Sequence, residues 1–145
     1  MTKLNVTFGA FAMVALLAAA SAASAETIAL QATLTAAAQV PPSDSKGTGS
    51  ATVSYDTASK KLDWKIIYEK LTGDPTAAHF HGPAPVGKNA GPVVPITGSL
   101  TSPIQGSATL SDAQAKELLA GLWYINVHTV ANPGGEIRGQ VLKAK

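Results

Sequence analysis

The chain has 145 residues, of which 46% are hydrophobic and 14% charged, and its formal net charge is +2. This length suits one domain with a single core, and the scattered charges exclude the basic surface of a nucleic-acid-binding protein. Cysteine is absent, which excludes disulfides and thiolate ligands, so any metal would have to be bound by nitrogen or oxygen.

Residues 1–25 have the pattern of a signal peptide. Lys3 precedes an apolar run from about residue 8 to residue 20, and Ala23-Ser24-Ala25 matches a small-residue cleavage site. The apolar run is shorter than the roughly 20 residues that a membrane-spanning helix needs. We therefore expect an exported protein, periplasmic or secreted, whose mature domain covers residues 26–145 and has no membrane span.

Short segments of alternating apolar and polar residues follow. Such alternation predicts strands with one buried face, and it occurs at residues 28–34, 51–56, 62–68 and 104–110. A turn from Asp56 to Lys60 is expected to join the second and third segments into a hairpin. Residues 39–49 are rich in proline, serine and glycine, which predicts a loop.

The rest of the chain adds one helix, one long loop and a final hairpin. Residues 82–91 contain three glycines and two prolines and predict a surface loop. Ser111 to Gln114 has the pattern of a capping box, which predicts a short helix to Leu119 with Gly121 as its stop. The hairpin is expected at residues 123–141. The predicted fold is an all-β antiparallel Greek-key sandwich or barrel with one short helix.

All three histidines lie in predicted strands. His79 and His81 are two residues apart, so a strand turns both imidazoles to one face, roughly 7 Å apart. In the later strand the bulky apolar residues share one face, which leaves the outer face to Tyr124, Asn126 and His128. Three imidazoles suit copper, zinc or nickel, and divalent-metal affinity peaks at Cu²⁺. The pattern predicts a metal site formed by the three histidines, and the alternative is that they are polar residues of the surface.

Strand parity places a charged residue beside these histidines. Residues directly opposite each other in an antiparallel pair point to the same face. Ile137 is expected on the core face, so Glu136 and Arg138 are expected on the outer face with Asn126 and His128. Tyr124, Asn126 and Glu136 are therefore expected near the histidines, where they could orient the imidazoles, although a simple surface role is the alternative.

Four motifs resemble the CHRD domain family, which is named after the developmental protein chordin. They are QVPP at 39–42, AAHFHGPA at 77–84, LWYINVHT at 122–129 and PGGEIRGQ at 133–140. Many bacterial members of this family resemble the chain in having a signal peptide and a single domain. The resemblance implies an extracellular binding role and no settled enzymatic reaction.

A more distant resemblance is to copper-zinc superoxide dismutases, in which an H-x-H strand, a V-x-H strand and a glycine-rich turn followed by arginine occur in the same order. It implies a dismutase-like or immunoglobulin-like sandwich, with His79, His81 and His128 as copper ligands and Arg138 as an anion guide. The chain has no fourth histidine to bridge copper to zinc, and no loop rich in histidine and aspartate. No zinc site is therefore expected.

Three functions remain open from the sequence. The first is an exported copper-binding protein for storage, buffering or delivery of the metal. The second is a copper-only, dismutase-like redox enzyme, for which the sequence indicates no catalytic residue other than Arg138 as an anion guide. The third is a metal-free module that binds an extracytoplasmic protein or glycan through residues 82–91 or Pro41-Pro42.

Overall fold

The structure is a computed structural model that describes residues 24–145. The predicted signal peptide therefore lies almost entirely outside the described residues. In chain order the elements are β1 (Thr27–Thr35), β2 (Thr48–Asp56), β3 (Lys61–Glu69), β4 (Pro75–His81), β5 (Pro92–Pro95), β6 (Ile104–Thr109), α1 (Asp112–Leu119), β7 (Tyr124–Thr129), β8 (Ile137–Gln140) and β9 (Leu142–Lys143).

The strands form one antiparallel sheet that curves into a nearly closed barrel. Its order is β5-β4-β7-β8-β1-β2-β3-β6, and β9 pairs with β1. The predicted turn after Asp56 joins β2 and β3, whose pairing runs from Thr48 opposite Glu69 to Tyr55 opposite Leu62. The predicted all-β antiparallel fold with one short helix is confirmed. The short strands β5 and β9 carry no alternating pattern, and the sequence does not indicate them.

The core lies inside the barrel and consists of the apolar residues of the alternating segments. Trp123 and Phe80 are fully buried, their ring centres are 6.1 Å apart, and Trp64 meets Phe80 edge-on at 5.2 Å. Aromatic contacts of this kind add to the stabilisation that burial of the rings provides. Because Phe80 is held in the core, its strand neighbours His79 and His81 point to the opposite face.

Helix α1 begins and ends as the sequence predicts. Ser111 is the N-cap and accepts a hydrogen bond from the Gln114 backbone N–H, while the Gln114 side chain accepts one from the Ser111 N–H. Gly121 follows the helix with a positive φ of 74°, a conformation that glycine adopts without strain. Within residues 24–145, no helix has the length and apolar character needed to span a membrane.

The outer face of β7 and β8 differs from the sequence prediction because it is not open to solvent. Tyr124, Asn126 and Arg138 are 2%, 5% and 2% exposed. The loops before β2, before β5 and before β8 fold over this face, and the buried side chains form hydrogen bonds to them. The barrel therefore has a second, polar buried layer outside its apolar core, and a simple surface role for Tyr124 and Asn126 is wrong.

Candidate metal centre

The pairing of β4 with β7 brings the three histidines together. His79 lies opposite Asn126, and Ala77 lies opposite His128, so His79 and His128 are diagonal neighbours on one face. The ring centre of His79 is 5.5 Å from that of His81 and 5.3 Å from that of His128. One ring nitrogen from each residue lies within 4.8 Å of the other two. We call these three residues the histidine cluster.

Backbone carbonyls determine which nitrogen of two histidines carries the hydrogen. His81 Nδ1 lies 2.9 Å from the Ala90 carbonyl oxygen, and His128 Nδ1 lies 2.9 Å from that of Pro133. A carbonyl oxygen only accepts, so each Nδ1 must donate, which leaves each Nε2 as the nitrogen that carries the lone pair in the neutral ring. A metal-binding histidine usually has its other nitrogen held in this way.

The surroundings of His79 and His81 favour the neutral forms of both rings. Burial, followed by the charge of His128, lowers the pKa of His79. Burial also lowers the pKa of His81, although its hydrogen bond to Ala90 partly offsets this effect. His81 is 9% exposed, and its Nε2 atom is buried with no hydrogen-bond partner in the described part of the chain. A buried polar atom without a partner lowers the stability of the fold unless a ligand binds to it.

The remaining contact within the cluster joins His79 to His128. His79 Nδ1 lies 3.4 Å from His128 Nε2, and both residues are partly exposed. Because His128 Nδ1 already donates to Pro133, His128 Nε2 is the acceptor of this contact and His79 Nδ1 is the donor, so an ion shared by these two rings would take the place of that hydrogen. Because two of the three imidazoles reach solvent, an ion from solution has a path to the site.

Tyr124 supports His81 in two ways. Its ring stacks on the His81 imidazole with ring centres 4.9 Å apart and an interplanar angle of 10°. Its hydroxyl donates to the Ala90 carbonyl at 3.0 Å and accepts from the Ala90 N–H at 3.1 Å. The same carbonyl thus receives hydrogen bonds from Tyr124 and His81, so Tyr124 helps to fix the plane and the tautomer of a potential ligand.

Arg138 lies beside Tyr124 and anchors the loop formed by residues 82–91. Its Cζ atom is 3.5 Å from the centre of the Tyr124 ring. Its guanidinium donates to the Asn89 side-chain oxygen at 2.8 Å and to the Lys88 carbonyl at 2.5 Å. The side chain is 2% exposed, which leaves it little surface with which to attract an anion from solution. The geometry makes Arg138 an anchor for the loop that supplies the Ala90 carbonyl.

Asn126 supports the loop that contacts His128, as Arg138 supports the loop that contacts His81. Its side-chain oxygen accepts a hydrogen bond from Gln39 Nε2 at 2.6 Å, and its amide nitrogen donates to the Gly134 carbonyl at 3.4 Å. This contact holds the loop formed by residues 130–135, whose Pro133 carbonyl binds His128. At Gly135, φ is +122°, and a Cβ atom would collide with the Asn126 amide. The loop therefore requires glycine at this position.

Glu136 does not join the histidines, contrary to the parity expectation. Its carboxylate accepts hydrogen bonds from Ser45, Thr72, Thr129 and Asn132. Burial would raise its pKa, but the hydrogen bonds from Ser45, Thr129 and Thr72 lower it to about 2. Strand β8 begins only at Ile137, so strand alternation does not govern Glu136. Its contacts join three loops to the end of β7.

The residues that sequence reasoning missed act through the backbone. Ala90 and Pro133 supply carbonyl oxygens, and no side-chain pattern marks a backbone acceptor. Gln39 is part of the QVPP motif, but nothing in that motif indicates a contact with Asn126. The proline and glycine content of both loops was the one available signal, because it marks places where the chain folds back on itself.

Comparison with known protein families gave a match. The model described as CHRD domain matches residues 30–141, which include every residue of the histidine cluster and both loops that support it. No curated protein and no solved structure matched the chain. The resemblance to copper-zinc superoxide dismutases, which rests on the order of the motifs, stays a prediction.

Proposed function

The chain belongs to the CHRD domain family, and we propose that it is a copper-binding member of that family with His79, His81 and His128 as the ligands. The observation that carries this proposal is the buried, unpaired Nε2 atom of His81 beside two further imidazole nitrogens within 4.8 Å. Two of the rings are already held in the tautomer that offers Nε2 to a metal.

The donor set favours copper over other ions. It consists of three neutral nitrogens, and the potential ligands that cluster there within residues 24–145 include no carboxylate. Magnesium, calcium and manganese prefer oxygen ligands, whereas imidazole suits copper, zinc and nickel, and copper has the highest affinity among the divalent ions. Zinc with three histidines and a water is the chemical competitor, so it belongs in the test.

We propose storage, buffering or delivery of copper outside the cytoplasm, rather than turnover, as the role. A dismutase-like reaction would need a cationic group that draws superoxide towards the metal. Arg138, the residue predicted for that task, is buried, and its guanidinium is bonded to Asn89 and Lys88. Its position supports a structural task better than the attraction of an anion.

Titration of the purified protein with Cu²⁺ and with Zn²⁺ at neutral pH tests the proposal. We expect one tight copper site per chain, nitrogen coupling in the electron spin resonance spectrum, and weaker zinc binding. His79→Ala and His128→Ala should each weaken copper binding by on the order of 100-fold or more, since each removes one of three ligands. Lys65→Gln is a suitable control because Lys65 is exposed on β3, away from the cluster.

Two outcomes would contradict the proposal. If the wild-type protein binds copper no better than the histidine variants, the cluster is not the site. If zinc binds more tightly than copper under the same conditions, the metal is wrong although the site is right. A superoxide assay on the copper-loaded protein should show little activity, and a high rate would replace the storage role with a catalytic one.

A further inference from the structure

We infer that the site prefers monovalent to divalent copper, because the buried positive charge of Arg138 lies close to a donor set that carries no negative charge. This inference rests on the proposed copper site. It concerns only which ion is bound more tightly, and it requires no electron transfer by the protein.

The charges around the cluster support this preference. All three donors are neutral imidazoles, and no carboxylate joins them among the described residues. The buried carboxylate of Glu136 already accepts hydrogen bonds from Ser45, Thr72, Thr129 and Asn132. Arg138 forms no ion pair within residues 24–145. Its positive charge is therefore not neutralised by an acidic side chain.

The position of Arg138 lets this charge act on a bound ion. Its guanidinium carbon is 3.5 Å from the centre of the Tyr124 ring, and that ring stacks on His81 at 4.9 Å. Arg138 and Tyr124 are each 2% exposed and His81 is 9% exposed, so little water separates the guanidinium from an ion on His81. Charges interact more strongly where water is excluded. The repulsion of Cu²⁺ is twice that of Cu⁺ because the charge of Cu²⁺ is twice as large.

The number of donors acts in the same direction. Cu²⁺ prefers a tetragonal arrangement of ligands, and this site offers three nitrogens. A bound Cu²⁺ ion would need water or another ligand to complete such an arrangement. Cu⁺ gains less from further hard ligands, so a site with only three imidazoles is a smaller disadvantage for Cu⁺ than for Cu²⁺. Charge and coordination thus both favour the monovalent ion.

Two competition titrations test the inference. Bathocuproine disulfonate competes for Cu⁺ under anaerobic conditions with ascorbate, and nitrilotriacetate competes for Cu²⁺. The ratio of the two affinities is compared between the wild type, Arg138→Gln and Arg138→Lys. Removing the charge in Arg138→Gln should shift the ratio towards Cu²⁺ by at least about tenfold, which equals about 59 mV for a one-electron couple.

Arg138→Lys separates the charge from the loop anchor. Lysine keeps the positive charge but cannot bond Asn89 and Lys88 as the guanidinium does, so its ratio should stay within about threefold of the wild type. Lys65→Gln removes a distant charge and should not change the ratio. Equal ratios in wild type, Arg138→Gln and Arg138→Lys would overturn the inference.

The wild-type protein alone provides a second test in case Arg138→Gln fails to fold. Its preference for Cu⁺ should exceed that of free imidazole at the same pH by at least about tenfold. A preference equal to or below that of imidazole, together with tight copper binding, overturns this inference and leaves the proposed function intact. Failure to bind either ion overturns both.

Discussion

Asn126 and Arg138 lie directly opposite each other in the β7–β8 pair, and their side chains hold two different loops. Asn126 bonds Gly134, next to the Pro133 carbonyl that binds His128. Arg138 bonds Lys88 and Asn89, next to the Ala90 carbonyl that binds His81. One cross-strand pair therefore supports the orientation of two potential ligands.

Replacing Asn126 by alanine should weaken copper binding without removing a ligand. The change releases Gly134 and leaves the Gln39 amide buried without its partner. We expect copper affinity to fall by about 10- to 100-fold and the free energy of unfolding to fall by about 1–3 kcal/mol. Copper titration and urea unfolding measure the two effects. Unchanged affinity in a destabilised variant would show that the Pro133 carbonyl does not depend on Asn126.

Replacement by alanine should affect stability differently at the two neighbouring glycines of the 130–135 loop. Gly135 has a φ of +122°, and a Cβ atom at this position would collide with the Asn126 amide. A Cβ atom at Gly134 would meet no atom within 4 Å. Gly135→Ala should lower the free energy of unfolding by more than about 2 kcal/mol, while Gly134→Ala should change it by no more than about 0.5 kcal/mol. Thermal unfolding of both variants is the measurement. Similar stabilities would contradict the expected collision between a Cβ atom at Gly135 and the Asn126 amide.

Copper binding should persist below the pH at which an exposed histidine becomes protonated. Burial lowers the pKa of His79 and His81 from the ordinary value of 6.5, so these rings take up protons at a lower pH than an exposed histidine does. We expect copper release to be centred below that value, because a protonated ring cannot bind the metal. Titrations between about pH 5 and pH 7.5 measure this. Release centred above pH 6.5 would be the contrary result.

The metal-free protein should lose stability over the same range. Below pH 6.5 the unfolded chain takes up protons on these histidines more readily than the folded chain does, because their folded-state pKa values are lowered. The free energy of unfolding is therefore expected to fall as the pH falls below 6.5. Urea midpoints at several pH values follow it, and His79→Ala should show a weaker dependence. An equal dependence in that variant would rule out His79 as a contributor.

Glu136 should contribute stability that acid removes in a lower range. Its pKa falls from 4.5 to about 2 on folding, so its contribution is complete above pH 4.5 and is lost as the pH falls towards 2. At neutral pH, Glu136→Gln should cost on the order of 2 kcal/mol, because it replaces a charged acceptor of several hydrogen bonds. The difference from wild type should shrink between pH 4.5 and 2. Glu69→Gln, at an exposed position, is the control, and an equal loss in both variants would contradict this account.

Strand alternation predicted most of the fold and the histidine cluster. The pattern that buries Phe80 turns His79 and His81 to one face. The parity of the last hairpin placed Arg138 on the same face as Asn126 but could not give the register, in which the two residues lie directly opposite each other. Alternation describes two faces of a strand but does not indicate what covers the second face. For this reason the burial of Tyr124 and Asn126 could not be predicted from their strand.

The errors in the site prediction have the same origin. Glu136 precedes the first residue of β8, so its direction follows from loop contacts that a sequence pattern does not contain. The carbonyls of Ala90 and Pro133 depend on how two loops fold back over the sheet. Chemistry carried by side chains was visible in the sequence, whereas chemistry carried by backbone groups required the structure.

The two carbonyl contacts also give the histidine cluster a mechanical consequence. His81 is bonded to the 82–91 loop and His128 to the 130–135 loop, so an ion shared by both rings would act as a reversible cross-link between two surface segments. Loading the site should slow amide hydrogen exchange and proteolysis in both loops together. A protein that recognises these loops could then distinguish the loaded chain from the empty one without touching the metal.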